Sequence, residues 1–247
     1  PLLWTHLIPA TLEGRALHNV QNAMAAAALA YSLGMNLENI RHGLRTFDST
    51  FFQAPGRMNI YDEHPFRVIL DYAHNPAAVR TIVDVIDRLE VAGRRIGVLA
   101  APGDRRDEDI AEIAYAAAGH FDHYVLKRDD YLRGRGESEV PDMMRVALLE
   151  KGITEEQIKI VPDEQEAIET ALNMARADDL VLILGDEITR CWKQIVYFNA
   201  DETEEAAENI PKTVKIDPAL LGEFSFDNEI EVIRDERGVR LARESED

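Results

Sequence analysis

The chain has 247 residues, 46 of them acidic and 27 basic, for a formal net charge of −19. That charge excludes sequence-independent binding to nucleic acid, which needs a basic field, while a hydrophobic share of 46% is enough to bury the core of one large domain. No apolar run reaches the ~18 residues of a membrane-spanning helix, no basic-then-apolar leader opens the sequence, and the single cysteine, Cys191, excludes an internal disulfide framework and fits a reducing cytoplasm.

In chain order, residues 1–17 read as extended pieces punctuated by Pro9 and Gly14. His18 to Leu33 predicts an alanine-rich helix with Gly34 at its stop, and Asn36 caps a second helix from Leu37 to Thr46. Ser49 to Gly56 is a linker, and Pro55-Gly56 marks a boundary. Met58 to Tyr61 and Phe66 to Leu70 then read as strands around a turn. From there elements alternate: helix Pro76 to Val91, strand Ile96 to Ala101, helix Glu108 to Ala118, strand Tyr124 to Leu126. After the polar stretch Arg128 to Val140 come helix Pro141 to Lys151, strand Ile158 to Val161, helix Glu164 to Arg176, strand Leu180 to Leu184 and helix Ile188 to Val196. Cys191 falls in that last helix and reads as a structural thiol. Residues 201–209 read as an acidic linker or short helix, and Ile230 to Ile233 with Val239 to Ala242 as a β-hairpin. The organisation expected is therefore residues 1–52, 53–198 and 199–247. Pro1 stands where a methionine would be expected, so the sequence reads as a piece of something longer.

Strands alternating with helices of this length predict an α/β fold with a mainly parallel sheet covered on both faces. Ligand sites in such sheets lie beyond the carboxyl ends of the strands. The unusual polar residues of this chain collect in those loops. Asp71 to Pro76 follows a strand and opens a helix. Asp71 can accept from a ribose, and His74 and Asn75 can meet a base; the alternative is that Asp71 and Asn75 cap the helix. Gly103 to Asp109 holds Asp104, Arg105, Arg106 and Asp107. Acids suit a helix N-terminus and arginines do not, so Arg105 and Arg106 point to a bound anion or to a salt-bridge network. Arg128 to Glu137 alternates signs around Asp130, Arg133, Arg135 and Glu137, as a zwitterionic amino acid requires or as a solvated loop allows. His18 to Asn22 places Asn19 and Asn22 on one helix, suited to a planar base or to ordinary surface polarity. The acidic surface fits a cationic substrate or plain solubility. No phosphate-binding Gly-rich loop with its lysine, no metal-spaced His/Cys cluster and no nucleophile elbow occurs.

Taken in this order, the motifs resemble the Mur ligase family. His18 to Asn22 is similar to that family's H-N-x-x-N helix, Pro55-Gly56-Arg57 to its P-G-R segment, and Asp71 to Pro76 to its D-Y-A-H-N-P. Within the family, Pro102 to Asp109 and Arg133 to Glu137 resemble the cyanophycin synthetase branch, and Asp129 to Arg133 departs from the D-N-P-R run of peptidoglycan ligases. The resemblance implies a Rossmann-like C-terminal domain at 53–198, preceded by the helical end of a central ATPase domain at 1–52; residues 199–247 match nothing in it. It implies ATP and Mg2+, the metal held mainly by an upstream part, and ATP contacts from Asn19, Asn22, Arg57, Asp71, His74 and Asn75, with Arg57 reaching the phosphates. It further implies amide formation through an acyl phosphate, with arginine as the small-molecule partner and a peptide or polymer carboxylate as the acceptor. Asp104, Arg105, Arg106, Asp107, Asp130, Arg133, Arg135 and Glu137 would serve the amine. Another Mur-type ligase, for muramyl peptides, folylpolyglutamate or an aspartyl-arginine dipeptide, and a non-catalytic interaction module with this fold stay open, as does assembly into a homo-oligomer.

Overall fold

A computed structural model describes residues 2–198 and, further along, the strands of residues 230–235 and 238–243. The chain divides into two compact units, Pro1–Asn199 and Ala200–Asp247.

The first unit opens with two 3-10 turns, Thr5–Leu7 and Pro9–Thr11, where extended chain was expected. Pro9 sits at the start of the second turn, where its fixed φ suits a helix. The buried Thr11 hydroxyl lies 2.7 Å from the Thr5 carbonyl oxygen and 2.8 Å from that of Ile8, its single proton shared between them, curling the chain back on itself. Helix α1 (Leu17–Ser32) follows. It ends in a Schellman motif: the Met35 N–H reaches Ala30 O and the Gly34 N–H reaches Tyr31 O, with Gly34 at φ +86°. Asn36 caps α2 (Leu37–Thr46) by accepting the Asn39 N–H.

Strand β1 (Asn59–Tyr61) pairs antiparallel with β2 (Arg67–Asp71). Then come α3 (Pro76–Arg88), β3 (Arg95–Leu99), α4 (Asp107–Ala117), β4 (His123–Leu126), α5 (Glu139–Glu150), β5 (Ile158–Ile160), α6 (Glu164–Met174), β6 (Leu180–Leu184) and α7 (Ile188–Val196). The six strands form one sheet in the order β1-β2-β6-β3-β4-β5, all pairs parallel except the first. Helix α3 stops three residues short of the expected Val91, and β3 ends at Leu99 so that Ala100 to Pro102 leave the ladder.

Alternation along the strands sorts the core into two layers. Ile69, Leu99, Leu126 and Leu182 face α3, α4 and α5 through Val79, Ile82, Ile110, Ile113, Met144 and Leu148. Val68, Leu70, Val98, Val125 and Ile183 face α6 and α7 through Ile168, Leu172, Cys191 and Ile195. Each such side chain contributes about 1.5–3 kcal/mol by leaving water. The Cys191 thiol is free and fully buried.

In the second unit β7 (Ile230–Asp235) and β8 (Gly238–Arg243) pair antiparallel, each longer than its apolar residues alone indicated. The acidic stretch expected at residues 201–209 lies outside the described residues.

Candidate functional site

Asp71 pairs with Leu184 and Leu99 with Leu126 in the parallel ladders, so β2, β6, β3 and β4 all end at one edge. The chain leaving that edge walls two cavities. The first, of about 500 Å³, lies between α1, the turn before β1 and α3; His18, Asn19, Asn22, Arg57, Met58 and Asp71 line it. The second, of about 100 Å³, lies between the loops after β2, β3, β4 and β6; His74, Arg105, Asp129, Arg133 and Asp186 line it. The segment after β2 serves both, Asp71 facing the first and Tyr72 to His74 the second.

The first cavity is built around a residue that sequence patterning does not reveal. Asn59 is fully buried. Its side chain donates to Ser49 O (2.8 Å) and Ala54 O (2.9 Å) and accepts the Gly56 N–H (2.7 Å). Gly56 adopts φ +69°, which a side chain rarely does, and its carbonyl accepts the Tyr72 N–H. This turn delivers Arg57 to the cavity wall. Among the described residues the Arg57 guanidinium makes no hydrogen bond or ion pair. Burial pushes the Asp71 carboxyl up from its ordinary value, opposed by the Met58 and Ala73 amides and the Arg57 charge. Asn19 donates to Ala10 O at 2.8 Å and Asn22 donates to Asn19 Oδ1 at 3.3 Å, which fixes both amides on one face of α1. Burial lowers the His18 pKa, with Asp84 opposing, and among the described residues its buried Nδ1 has no partner.

The residues expected together at a nucleoside divide between the two cavities. Asn75 caps α3, accepting the Ala78 N–H at 2.9 Å, and lines neither cavity. His74 turns its Nδ1 to Tyr72 O and stands in the second cavity. The helix-capping alternative thus describes Asn75; Asp71 instead binds the chain before β1.

In the second cavity Arg133, at φ +51°, holds both Asp104 carboxylate oxygens at 3.1 Å. Among the described residues the Arg105 side chain has no ion-pair partner. Asp129 is buried; desolvation raises its pKa, against the pull of Lys127. Asp129 and Asp186 were not singled out from the sequence; each is the first acidic residue after its strand, Asp129 after β4 and Asp186 after β6. Asp104, Arg106, Asp107, Asp130, Arg135 and Glu137, expected at the substrate, do not line this cavity. Arg106 pairs with Asp109 one turn into α4, the salt-bridge alternative. Asp130 pairs with Arg190. Arg135 spends its donors on protein: Gly103 O (2.7 Å), Arg105 O (2.8 Å), Asp107 (2.7 Å) and Glu139 (2.7 Å). It fastens the loops after β3 and β4 to one another.

The residues present fit a nucleoside: planar amides, an unpartnered ring nitrogen and a carboxylate beside a single arginine. Among the described residues no three His, Cys, Asp or Glu side chains gather as metal ligands. No described helix is long and apolar enough to cross a membrane.

A mainly parallel open sheet with polar cavities at its carboxyl edge defines an α/β ligand-binding module. More narrowly, the chain belongs to the Mur ligase, glutamate ligase domain family, which matches residues 56–187. Cyanophycin synthetase of Trichormus variabilis is 38% identical over 224 residues, covering 87% of this chain and 24% of that protein. The UDP-N-acetylmuramoyl-L-alanyl-D-glutamate–2,6-diaminopimelate ligase of Caldanaerobacter subterraneus is 31% identical over 178 residues, 71% of this chain and 34% of that one. Among solved structures, E. coli FolC in complex with DHPP and ADP superposes with a TM-score of 0.56 at 25% identity, covering 74% of this chain and 39% of FolC. The chain spans about a quarter of the length of the cyanophycin synthetases it matches.

Proposed function

We propose that this chain supplies the nucleoside-facing and amine-facing walls of an ATP-dependent amide ligase of the cyanophycin synthetase kind, one that joins arginine to aspartate side chains of a peptide or polymer. The observation that carries this reading is the pair of cavities at one sheet edge, both walled by the segment from Asp71 to His74 and both lined by arginine and aspartate. ATP would supply its γ-phosphoryl group to the acceptor carboxylate and leave ADP; the amine would then attack the acyl carbon, expelling inorganic phosphate and losing a proton to give the amide.

The chain's own part is binding and orientation. Asn19 and Asn22 present amides to the base, Asp71 accepts from the ribose, and Arg57 offers a cation toward the phosphates, where developing negative charge needs one. Mg2+ and the remaining phosphate contacts come from outside this chain. In the second cavity Arg105 and Arg133 take the α-carboxylate of the incoming amino acid, and Asp129 and Asp186 take its cationic end. Two arginines opposite two carboxylates suit a zwitterion with a basic side chain better than glutamate. Arg135, Asp107 and Asp104 hold the arginine-bearing loops in place.

The test is an amino-acid-dependent ATP hydrolysis screen on the complete ligase polypeptide with an aspartate-containing acceptor. Arginine is expected to stimulate ADP release above lysine, glutamate and diaminopimelate. Stimulation by glutamate or diaminopimelate instead would reject arginine as the substrate.

A further inference from the structure

Glu164, the first residue of α6, is fully buried. It collects donors from three separate pieces of the carboxyl edge. The Asp186 N–H donates to it at 2.7 Å and the Glu187 N–H at 3.3 Å, both just after β6. Arg190 Nη2 in α7 donates at 2.5 Å. Lys127, the residue after β4, places its Nζ 2.9 Å from Oε1, both side chains having no exposed surface. The contacts close into a ring: Arg190 Nη1 lies 2.5 Å from Asp130 Oδ2, and the Asp130 N–H donates to Asp186 Oδ2 at 3.0 Å.

Neither Glu164 nor Lys127 lines the second cavity, yet the ring spans the two loops that carry Asp129 and Asp186. The Lys127 ammonium stands off the hydrogen-bonding angle from Glu164 and has no aligned acceptor among the described residues. A buried ion pair of this kind gives little net stability, because desolvation offsets the attraction. What it does give is a fixed distance between the elements that bear it.

We propose that Glu164 is a positioning residue: through Lys127, Arg190 and the Asp186 amide it sets the separation of Asp129 and Asp186, and with it the affinity of the second cavity for the cationic end of the amine substrate. This rests on the reading of that cavity as the amine subsite.

The experiment titrates L-arginine, at saturating ATP, into the chain and into its Glu164→Gln variant, following the Asp186 amide by NMR. The variant should bind arginine about ten-fold more weakly, the scale of one charged hydrogen bond. Its ATP affinity should be unchanged, and hydrogen exchange at Asp186 faster. A general loss of structure would weaken both ligands together. If lysine left alone prevents folding, the double variant Lys127→Met with Glu164→Gln removes both charges and gives the same readings. Equal arginine affinity in a folded variant and the unaltered chain overturns the inference alone. Arginine failing to bind the unaltered chain overturns the substrate reading and the inference with it.

Discussion

The Asp71 carboxylate at the end of β2 accepts the backbone N–H of Met58 at 2.8 Å, and Met58 stands at φ +50°. A methionine in the left-handed region costs on the order of 1 kcal/mol or more and persists only where its surroundings hold it. Asp71 is that hold, and it keeps the neighbouring Arg57 on the wall of the first cavity. Asp71→Ala should lower stability by about 1–3 kcal/mol and weaken ATP binding. Asp71→Asn, which keeps an acceptor, should lose less than half as much stability. Urea denaturation and ATP titration of both variants check this; wild-type stability in Asp71→Ala would show that the clamp does not hold the turn.

Arg133 and Arg135 lie two residues apart and should respond differently. Arg133 has an exposed carboxylate partner, and exposed pairs contribute about 0–1 kcal/mol. Arg133→Ala should therefore leave the melting temperature nearly unchanged while raising the KM for the amine. Arg135, with its donors spread over two carbonyls and two carboxylates, should lower the melting temperature even as Arg135→Lys, because an ammonium cannot reproduce the fork. Thermal unfolding and steady-state kinetics on the two variants separate these roles. A destabilised Arg133→Ala beside a wild-type-like Arg135→Lys would reverse the assignment.

Glu164 also predicts a pH dependence. Burial alone would raise its carboxyl, but the Lys127 charge, the Asp186 amide and the Arg190 hydrogen bond prevail, and it is held at about 2. A depressed folded-state pKa contributes stability that is present above the unfolded value of 4.5 and lost as pH falls toward 2. The loss is on the order of 3 kcal/mol. Asp71 and Asp129 are shifted upward, so their contributions have the opposite sign: the folded state holds their protons more tightly, and stability declines as pH rises through their raised values. Subtracting the Glu164→Gln profile from that of the unaltered chain isolates Glu164. Denaturant midpoints from pH 2 to 7, a range set by these shifts, should show a difference that shrinks below about pH 4.5. A difference independent of pH would mean that folding does not shift the Glu164 carboxyl, and one that grows as pH falls would mean that it is protonated in the folded chain.

The sheet and its loops were readable because period and punctuation carry them: α2, β6 and α7 fall where apolar spacing and caps place them. The opening turns were not, since Thr11 curls them through hydroxyl bonds that leave no periodic trace. The same limit applies at the site. An arginine in a mixed-charge loop reads alike whether its partner is a ligand, as proposed for Arg133, or the backbone of the next loop, as for Arg135. Glu164 at a helix start reads as a solvent-facing complement to the helix dipole, and only three-dimensional structure brings Lys127 and Arg190 to it. Asn59 reads as an ordinary strand-edge residue, although it organises the turn that carries Arg57.

Gly103 is the point where the loops after β3 and β4 touch. A Cβ there would stand 2.4 Å from the Leu132 carbonyl oxygen, closer than real contacts allow. Gly103→Ala must therefore push the two loops apart, and it is backbone rather than a flexible side chain that has to yield. Arg135 bonds to the Gly103 carbonyl and Arg133 pairs with Asp104, so both contacts would stretch with the displacement. Overpacking of this kind costs about 1–3 kcal/mol. Gly136→Ala, in the same loop, is the control, because its Cβ would meet Glu139 no closer than 3.8 Å. Gly103→Ala is expected to lose stability and weaken amine binding together while ATP binding to the first cavity persists, and Gly136→Ala to change none of the three. Amine affinity retained in Gly103→Ala would mean that the loops separate without disturbing Arg133, and that the second cavity does not depend on their contact.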